Sequence, residues 1–287
     1  MIYAVYGHCS DTGFWSIVID SRVVGSIGMN YRSSTDAMGA VSSNSSQQKA
    51  ASGVPVSTNS AGRSMISAVV FDAFGTLLDL QRKLHPFRQL LKEGITRGRR
   101  PSPNDVRLLM SNTWSLEEAA DHLGICISAT RLLCLRDDLQ HELESITPLT
   151  DGVEAVAMLR AAGVRVGVCS NLCEPYGAAV HANFPGMDGY AFSYQVGAMK
   201  PDPAIYQSIC TALGVQPGHF FSDQNDQIAM VGDSLKCDRD GPRAVGMLGF
   251  HLNRGTQGPI GNLVQFAHLV IASRSNQGID RPRGLTS

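Results

Sequence analysis

Residues 68–71, Ala-Val-Val-Phe, carry no polar side chain and run directly into Asp72, with a Gly75-Thr76 turn close behind. A continuous apolar run bounded by a turn signal reads as a fully buried strand. Strands buried on both faces belong to parallel sheets covered by helices on each side. In such open sheets, ligands bind beyond the carboxyl ends of the strands. The run therefore predicts a central strand and places a carboxylate at the ligand-binding end. An Asp at that place can serve as a nucleophile in covalent catalysis.

The rest of the chain divides into blocks around this strand. Residues 1–64 are unlike the remainder: from about residue 30 the composition turns to Ser, Asn, Gly, Ala and Gln, and 42–48 offers almost nothing to bury. Such a stretch is expected to stay disordered. Met65 stands directly before the motif strand, so the start of translation is expected there, with 1–64 as upstream sequence. Residues 81–149 read as a helical insertion, with helix-like apolar spacing over 106–110, 116–123 and 129–143 and no strand pattern. Ser115 and Glu118 make a capping-box pattern at the second of these. From residue 150 the pattern alternates. Helices are expected over 151–162 and 203–213, and strands over 164–170, 190–194, 228–232, 247–250 and 269–272. Alternation of this kind predicts an α/β fold with a parallel, Rossmann-like sheet. The core is then 65–80 plus 150–272, with 273–287 as a loose tail.

Composition narrows the function classes. The net charge is −1 over 287 residues and 17% of residues are charged, so there is no basic footprint of the sort nucleic-acid binders carry. The arginines of 97–100 precede Pro101 and Pro103 and read as a solvated loop. No apolar stretch approaches the ~20 residues of a membrane span, and no secretory leader pattern opens the chain. The seven cysteines are scattered without a CxxC pair, and no second pair completes a zinc set with Cys169 and Cys173. Reduced thiols in a cytoplasmic protein are the expectation. The partner expected is a small anionic molecule, with neither nucleic acid nor membrane, and the sequence is silent on oligomeric state.

Three polar clusters follow buried elements and can converge on Asp72. Ser170-Asn171 follows the strand ending at Cys169, where a hydroxyl and a backbone N–H could meet an oxyanion or substrate. Lys200 lies in an extended segment before Pro201, where a fixed ammonium could neutralise a nucleophile. Asp233 ends the apolar run 228–232, and Asp238 comes about one turn later. Two carboxylates so placed repel without a cation. Mg²⁺, which takes one or two carboxylates, is the expected remedy.

In order and spacing these clusters resemble the haloacid dehalogenase superfamily over residues 66–272. The motifs that carry the resemblance are FDAFGTLLD at 71–79, CSN at 169–171, MKPDPAIY at 199–206 and VGDSLKCDRDGPRAVGM at 231–247. It implies a hydrolase with a Rossmann-like core, and it makes residues 81–149 an α-helical cap. It also implies that Asp72 is the nucleophile, steadied by Thr76, Ser170 and Lys200. Asp233, Asp72 and the main-chain carbonyl of Phe74 would ligate Mg²⁺. The chain departs from the commonest pattern at Phe74, where most phosphatases of the family carry a second Asp that transfers protons. An aromatic there, together with Tyr206, looks like the 2-haloacid dehalogenase branch, which needs no Mg²⁺. Leu235, however, stands where that branch usually has Asn. Weighing a buried Asp233 that would need a cation, the expectation favours Mg²⁺-dependent phosphate hydrolysis. Carbon–halogen hydrolysis and a non-catalytic scaffold stand as alternatives.

Overall fold

A computed structural model describes residues 65–217, 227–254 and 260–275. The segment 1–64, expected to be disordered, and most of the expected tail lie outside the described residues. So does any bearing on Met65 as the natural start.

The predicted central strand is β1 (Ile66–Phe71), and its burial is nearly complete along its length. β4 (Arg165–Ser170) pairs with it on one side and β6 (Gln227–Gly232) on the other, both parallel. β5 (Gly189–Phe192) and β7 (Leu248–His251) complete a five-stranded parallel sheet in the order β5-β4-β1-β6-β7. Phe71 is in register with both Val168 and Val231. The residues that follow these three positions are thereby delivered to one edge of the sheet.

Alternation along the strands splits the core into two layers. Val69, Phe71, Ala229 and Val231 face one side, while Ala68, Val70, Ile228 and Met230 face the other. The second side is closed by α8 (Pro203–Ala212) through Ile205, Tyr206 and Ile209. The first is closed by α5 (Thr150–Ala161) and by α10 (Leu263–Ser275). At about 25 cal/mol per Å² of apolar surface, this two-sided burial is the main stabilising term of such a sheet.

α10 corrects the strand expected over 269–272 and the tail expected from 273. Its buried residues are Leu263, Phe266, Ala267 and Val270, a helical spacing, while Leu269 is exposed. A four-residue apolar run cannot by itself distinguish helix from strand, and the longer window decides.

The insertion is helical as expected: α1 (Pro86–Thr96), α2 (Asp105–Met110), α3 (Leu116–His122) and α4 (Ala129–Glu144). Ser115 and Glu118 form the expected capping box at α3, with bonds of 3.1 and 2.8 Å. Contrary to the expectation of no strands there, β3 (Ile146–Pro148) pairs antiparallel with β2 (Leu78–Leu80) where the insertion leaves and rejoins the sheet. Three-residue strands are too short to show a period. α6 (Glu174–Asn183) follows β4, and α7 (Ser193–Val196) follows β5. After Asp233 the chain forms a π-helical turn over Leu235–Asp240 that passes into α9 (Gly241–Ala244). Among the described residues, no helix is long and apolar enough to cross a membrane.

Candidate active site

The carboxyl ends of β1, β4 and β6 bring Asp72, Ser170 and Asp233 together, and a loop from another part of the chain adds Lys200. Asp72 is 8% exposed, and its N–H donates to Val231 O at 3.0 Å, which extends the β1–β6 pairing by one residue. Its Oδ1 accepts from the Ser170 hydroxyl at 3.0 Å and from the Lys200 ammonium at 2.7 Å. Oδ2 has no hydrogen bond from the described residues.

Lys200 is held from three sides. Its N–H donates to Asn171 Oδ1 at 2.7 Å, and its carbonyl accepts from Asn171 Nδ2 at 3.0 Å. Its ammonium also reaches Asp238 Oδ1 at 2.7 Å. Burial opposes the charge on Lys200, but Asp238 and Asp72 outweigh burial and hold its pKa well above the ordinary lysine value. Burial and the nearby carboxylates push the Asp238 carboxyl up, against the pull of Lys200. The arrangement is a buried ammonium shared by two carboxylates.

Thr76 is fully buried, and its hydroxyl has no hydrogen-bond partner among the described residues. Buried polar groups are rarely left unsatisfied, so such an orphan in the motif turn marks a place for a ligand atom or water. Gly75 has φ 81, and a Cβ there would collide with the Asp233 carboxylate. The motif turn and Asp233 therefore pack backbone to carboxylate.

Two expected contributions differ in the geometry. Asn171, expected to touch substrate, has its amide committed to the Lys200 main chain. Asp238, expected as a metal ligand, has Oδ1 on Lys200 and Oδ2 accepting from Ser234 N–H at 2.9 Å. Tyr206 is wholly buried and donates to Cys237 O at 2.6 Å, anchoring α8 to the π-helical turn rather than facing a ligand. Phe74 is partly buried and stands edge-on to Tyr176, with ring centroids 6.0 Å apart.

Asp72, Asp233 and Asp238 each offer a carboxylate oxygen, all within 4.8 Å of one another. With Asp238 spent on Lys200 and Ser234, a divalent ion is left with Asp72 and Asp233. Two carboxylates are a donor set that suits Mg²⁺. Asp233 is partly exposed, so the premise that it lies buried and needs a cation does not hold. The cation of the buried cluster is Lys200.

The family model for haloacid dehalogenase-like hydrolases matches residues 66–246. The chain belongs to that family. Among curated relatives of this haloacid dehalogenase-like hydrolase is (S)-2-haloacid dehalogenase 4A of Burkholderia cepacia. It is 30% identical over 169 residues, covering 53% of this chain and 71% of the relative. A second, (S)-2-haloacid dehalogenase 1 of Pseudomonas sp. (strain CBS-3), is 30% identical over 168 residues, covering 53% and 73%. Solved structures that resemble it include the L-2-haloacid dehalogenase from Xanthobacter autotrophicus. That match has a TM-score of 0.46 and 21% identity and covers 72% of this chain and 99% of the other. A HAD phosphatase from Thermococcus onnurineus matches with a TM-score of 0.47 and 21% identity, covering 71% and 98%.

The curated relatives overturn the expectation of a phosphatase. Both are named for carbon–halogen cleavage, the reading that Phe74 had supported as an alternative. The argument for phosphate hydrolysis rested on a buried Asp233, and that premise has gone.

Proposed function

We propose that this hydrolase cleaves the carbon–halogen bond of a small 2-haloacid, with Asp72 as the nucleophile. One observation carries the reading. A carboxylate–ammonium pair stands ready for displacement while Phe74 occupies the position where a proton donor would serve a poorer leaving group. A halide leaves as a stable anion and needs no proton, so an aromatic there costs the reaction nothing. The names of the curated relatives point the same way.

Asp72 Oδ2, the oxygen without a hydrogen bond, attacks the carbon that bears the halogen. The carbon–halogen pair departs with the halide, and an ester forms between Asp72 and the acid. Ser170 and Lys200 hold Oδ1 throughout, so the carboxylate is presented in one orientation. Positioning of this kind accounts for a large share of the rate in displacement reactions. Water then attacks the ester carbonyl, releasing the 2-hydroxy acid, one proton and the Asp72 carboxylate. Lys200 offsets the negative charge that grows on the ester oxygen. The orphan hydroxyl of Thr76 is satisfied by the substrate carboxylate or by the attacking water. Residues 81–149 act as the cap that excludes bulk water. A divalent ion, if bound, would rest on Asp72, Asp233 and the Phe74 carbonyl and would add positive charge beside the nucleophile. The displacement draws on Lys200 for that charge.

The test is halide release from (S)-2-chloropropionate by the full chain, with and without EDTA, and with Asp72→Asn alongside. Release that survives EDTA and is lost in Asp72→Asn is the expected outcome. Because displacement at carbon inverts the centre and ester cleavage does not touch it, the product should be the (R)-2-hydroxy acid. Absence of halide release from chloro-, bromo- and fluoro-acids would sink the reading.

A further inference from the structure

Glu142 is fully buried in the last turn of α4. Its Oε1 accepts from the Tyr176 hydroxyl at 2.5 Å, and its Oε2 accepts from the His85 N–H at 2.5 Å. His85 Nδ1 lies 3.9 Å from the same Oε2. Three parts of the chain meet here. His85 stands just before α1, Glu142 just before β3, and Tyr176 in the first turn of α6 on the sheet side of the molecule. His85 has φ 59, a left-handed backbone shape uncommon for a residue with a Cβ. The carboxylate therefore ties the two ends of the helical insertion to each other and to α6.

Tyr176 carries this tie to the candidate active site. Its ring meets Phe74 at an interplanar angle of 88°, and Phe87 of α1 lies on it at 6.5 Å. Edge-to-face contacts of this sort have a preferred geometry, so a fixed Tyr176 fixes the Phe74 ring. A hydroxyl bound to a carboxylate is among the stronger hydrogen bonds. The bond therefore holds the Tyr176 ring in one orientation.

We propose that Tyr176 is a positioning residue. Held by Glu142, it sets the Phe74 ring against the substrate beside Asp72 and couples that ring to the seating of the helical insertion. The proposal rests on the dehalogenase reading of the Asp72 site. Phe74 lies two residues from the nucleophile, so a small tilt of its ring changes the angle at which the reacting carbon meets Oδ2. Misplacement on that scale costs rate more than binding.

Tyr176→Phe removes the hydroxyl and keeps the ring, and Glu142→Gln keeps an acceptor oxygen for it. In the full chain, Tyr176→Phe is expected to lower kcat for halide release from 2-chloropropionate about tenfold, with KM moved less than about threefold. Glu142→Gln is expected to fall between wild type and Tyr176→Phe. The double variant is expected to be no slower than Tyr176→Phe, as residues acting through one bond require. Hydrogen exchange provides a readout independent of turnover: amides of α1 and α4 should exchange faster in Tyr176→Phe, with β1 and β6 unchanged. Wild-type kcat in folded Tyr176→Phe, or losses that simply add in the double variant, would overturn the proposal. If the wild type releases no halide, the dehalogenase reading fails and exchange alone decides. Unchanged α1 and α4 would then overturn the tie, and faster exchange confined to them would support it.

Discussion

The ammonium of Lys200 lies 2.7 Å from Asp72 Oδ1, inside a site where Lys200 is only 2% exposed. Its other carboxylate, Asp238, is 1% exposed and equally close. Removing the ammonium leaves two carboxylates facing each other without solvent. Lys200→Met is expected to lower halide release by about 10²–10³-fold, the usual cost of losing one charge-stabilising donor. Uncompensated buried charge should also destabilise the fold by about 3–5 kcal/mol. Paired kinetics and thermal melts would check both numbers, and a stable, active Lys200→Met protein would contradict the account.

Gly75 separates the motif turn from Asp233. Gly75→Ala forces both a left-handed φ on alanine and a collision with the Asp233 carboxylate. Halide release should drop at least about tenfold, since displaced catalytic geometry is costly even at small distances. Asp233→Ala in the same background should recover part of the loss by removing the collision, and no recovery would leave backbone strain as the whole effect.

Asp105 stabilises the start of α2 in a pH-dependent way. Burial disfavours its charge, but two hydrogen bonds from Arg99, at 2.7 and 2.6 Å, and one from Ser102 N–H outweigh that and hold its carboxyl below the usual range. With the folded pKa below the unfolded one, the stabilisation is present above the unfolded value of about 3.9. It is lost as pH falls through the lower folded value. At pH 7, Asp105→Asn should cost about 1.5–3 kcal/mol, the range for hydrogen bonds to a charged group. The gap between the denaturant midpoints of wild type and variant should start to narrow below about pH 4 and go on closing as pH falls through the lower folded value; a gap that does not narrow at all on acidification below about pH 4 would contradict the assignment.

Thiol reactivity should follow burial. Burial pushes the Cys169 thiol up to about 12 and that of Cys210 up to about 11. The thiolate is the reactive form. Cys126 and Cys134 are exposed, while Cys169, Cys173, Cys210 and Cys237 are buried. Iodoacetamide at pH 8 should therefore modify Cys126 and Cys134 in the native protein and reach the four buried thiols only on denaturation. Peptide mass spectrometry would show it, and native labelling at Cys169, beside Ser170, would overturn it.

The strands that build the site were legible because each is an apolar run that stops at a polar residue. Asp72, Ser170 and Asp233 stand at those stops, so their places at the ends of β1, β4 and β6 follow from the pattern. Lys200 was legible as a fixed cation from its prolines, but its partners were not. Sequence spacing does not say which charge neutralises which: Asp238, read beside Asp233 as a partner for Mg²⁺, has one oxygen on the ammonium of Lys200, which also holds Asp72. Asn171 looked like a substrate contact because its amide could not be seen clasping a backbone 29 residues away. The strand expected over 269–272 failed because four apolar residues carry no period. Tyr176 and Glu142, 34 residues apart on different helices, left no signal in the sequence at all.

Ser170 joins Asp72 across 98 residues, and Lys200 joins it across 128. Contacts so remote along the chain are among the last that a folding polypeptide can make, because long loops must close first. A ribosome that has yet to extrude Asp238 therefore presents a nucleophile whose cation is only half countered. The site is assembled only once β6 and the turn that follows it have joined β1.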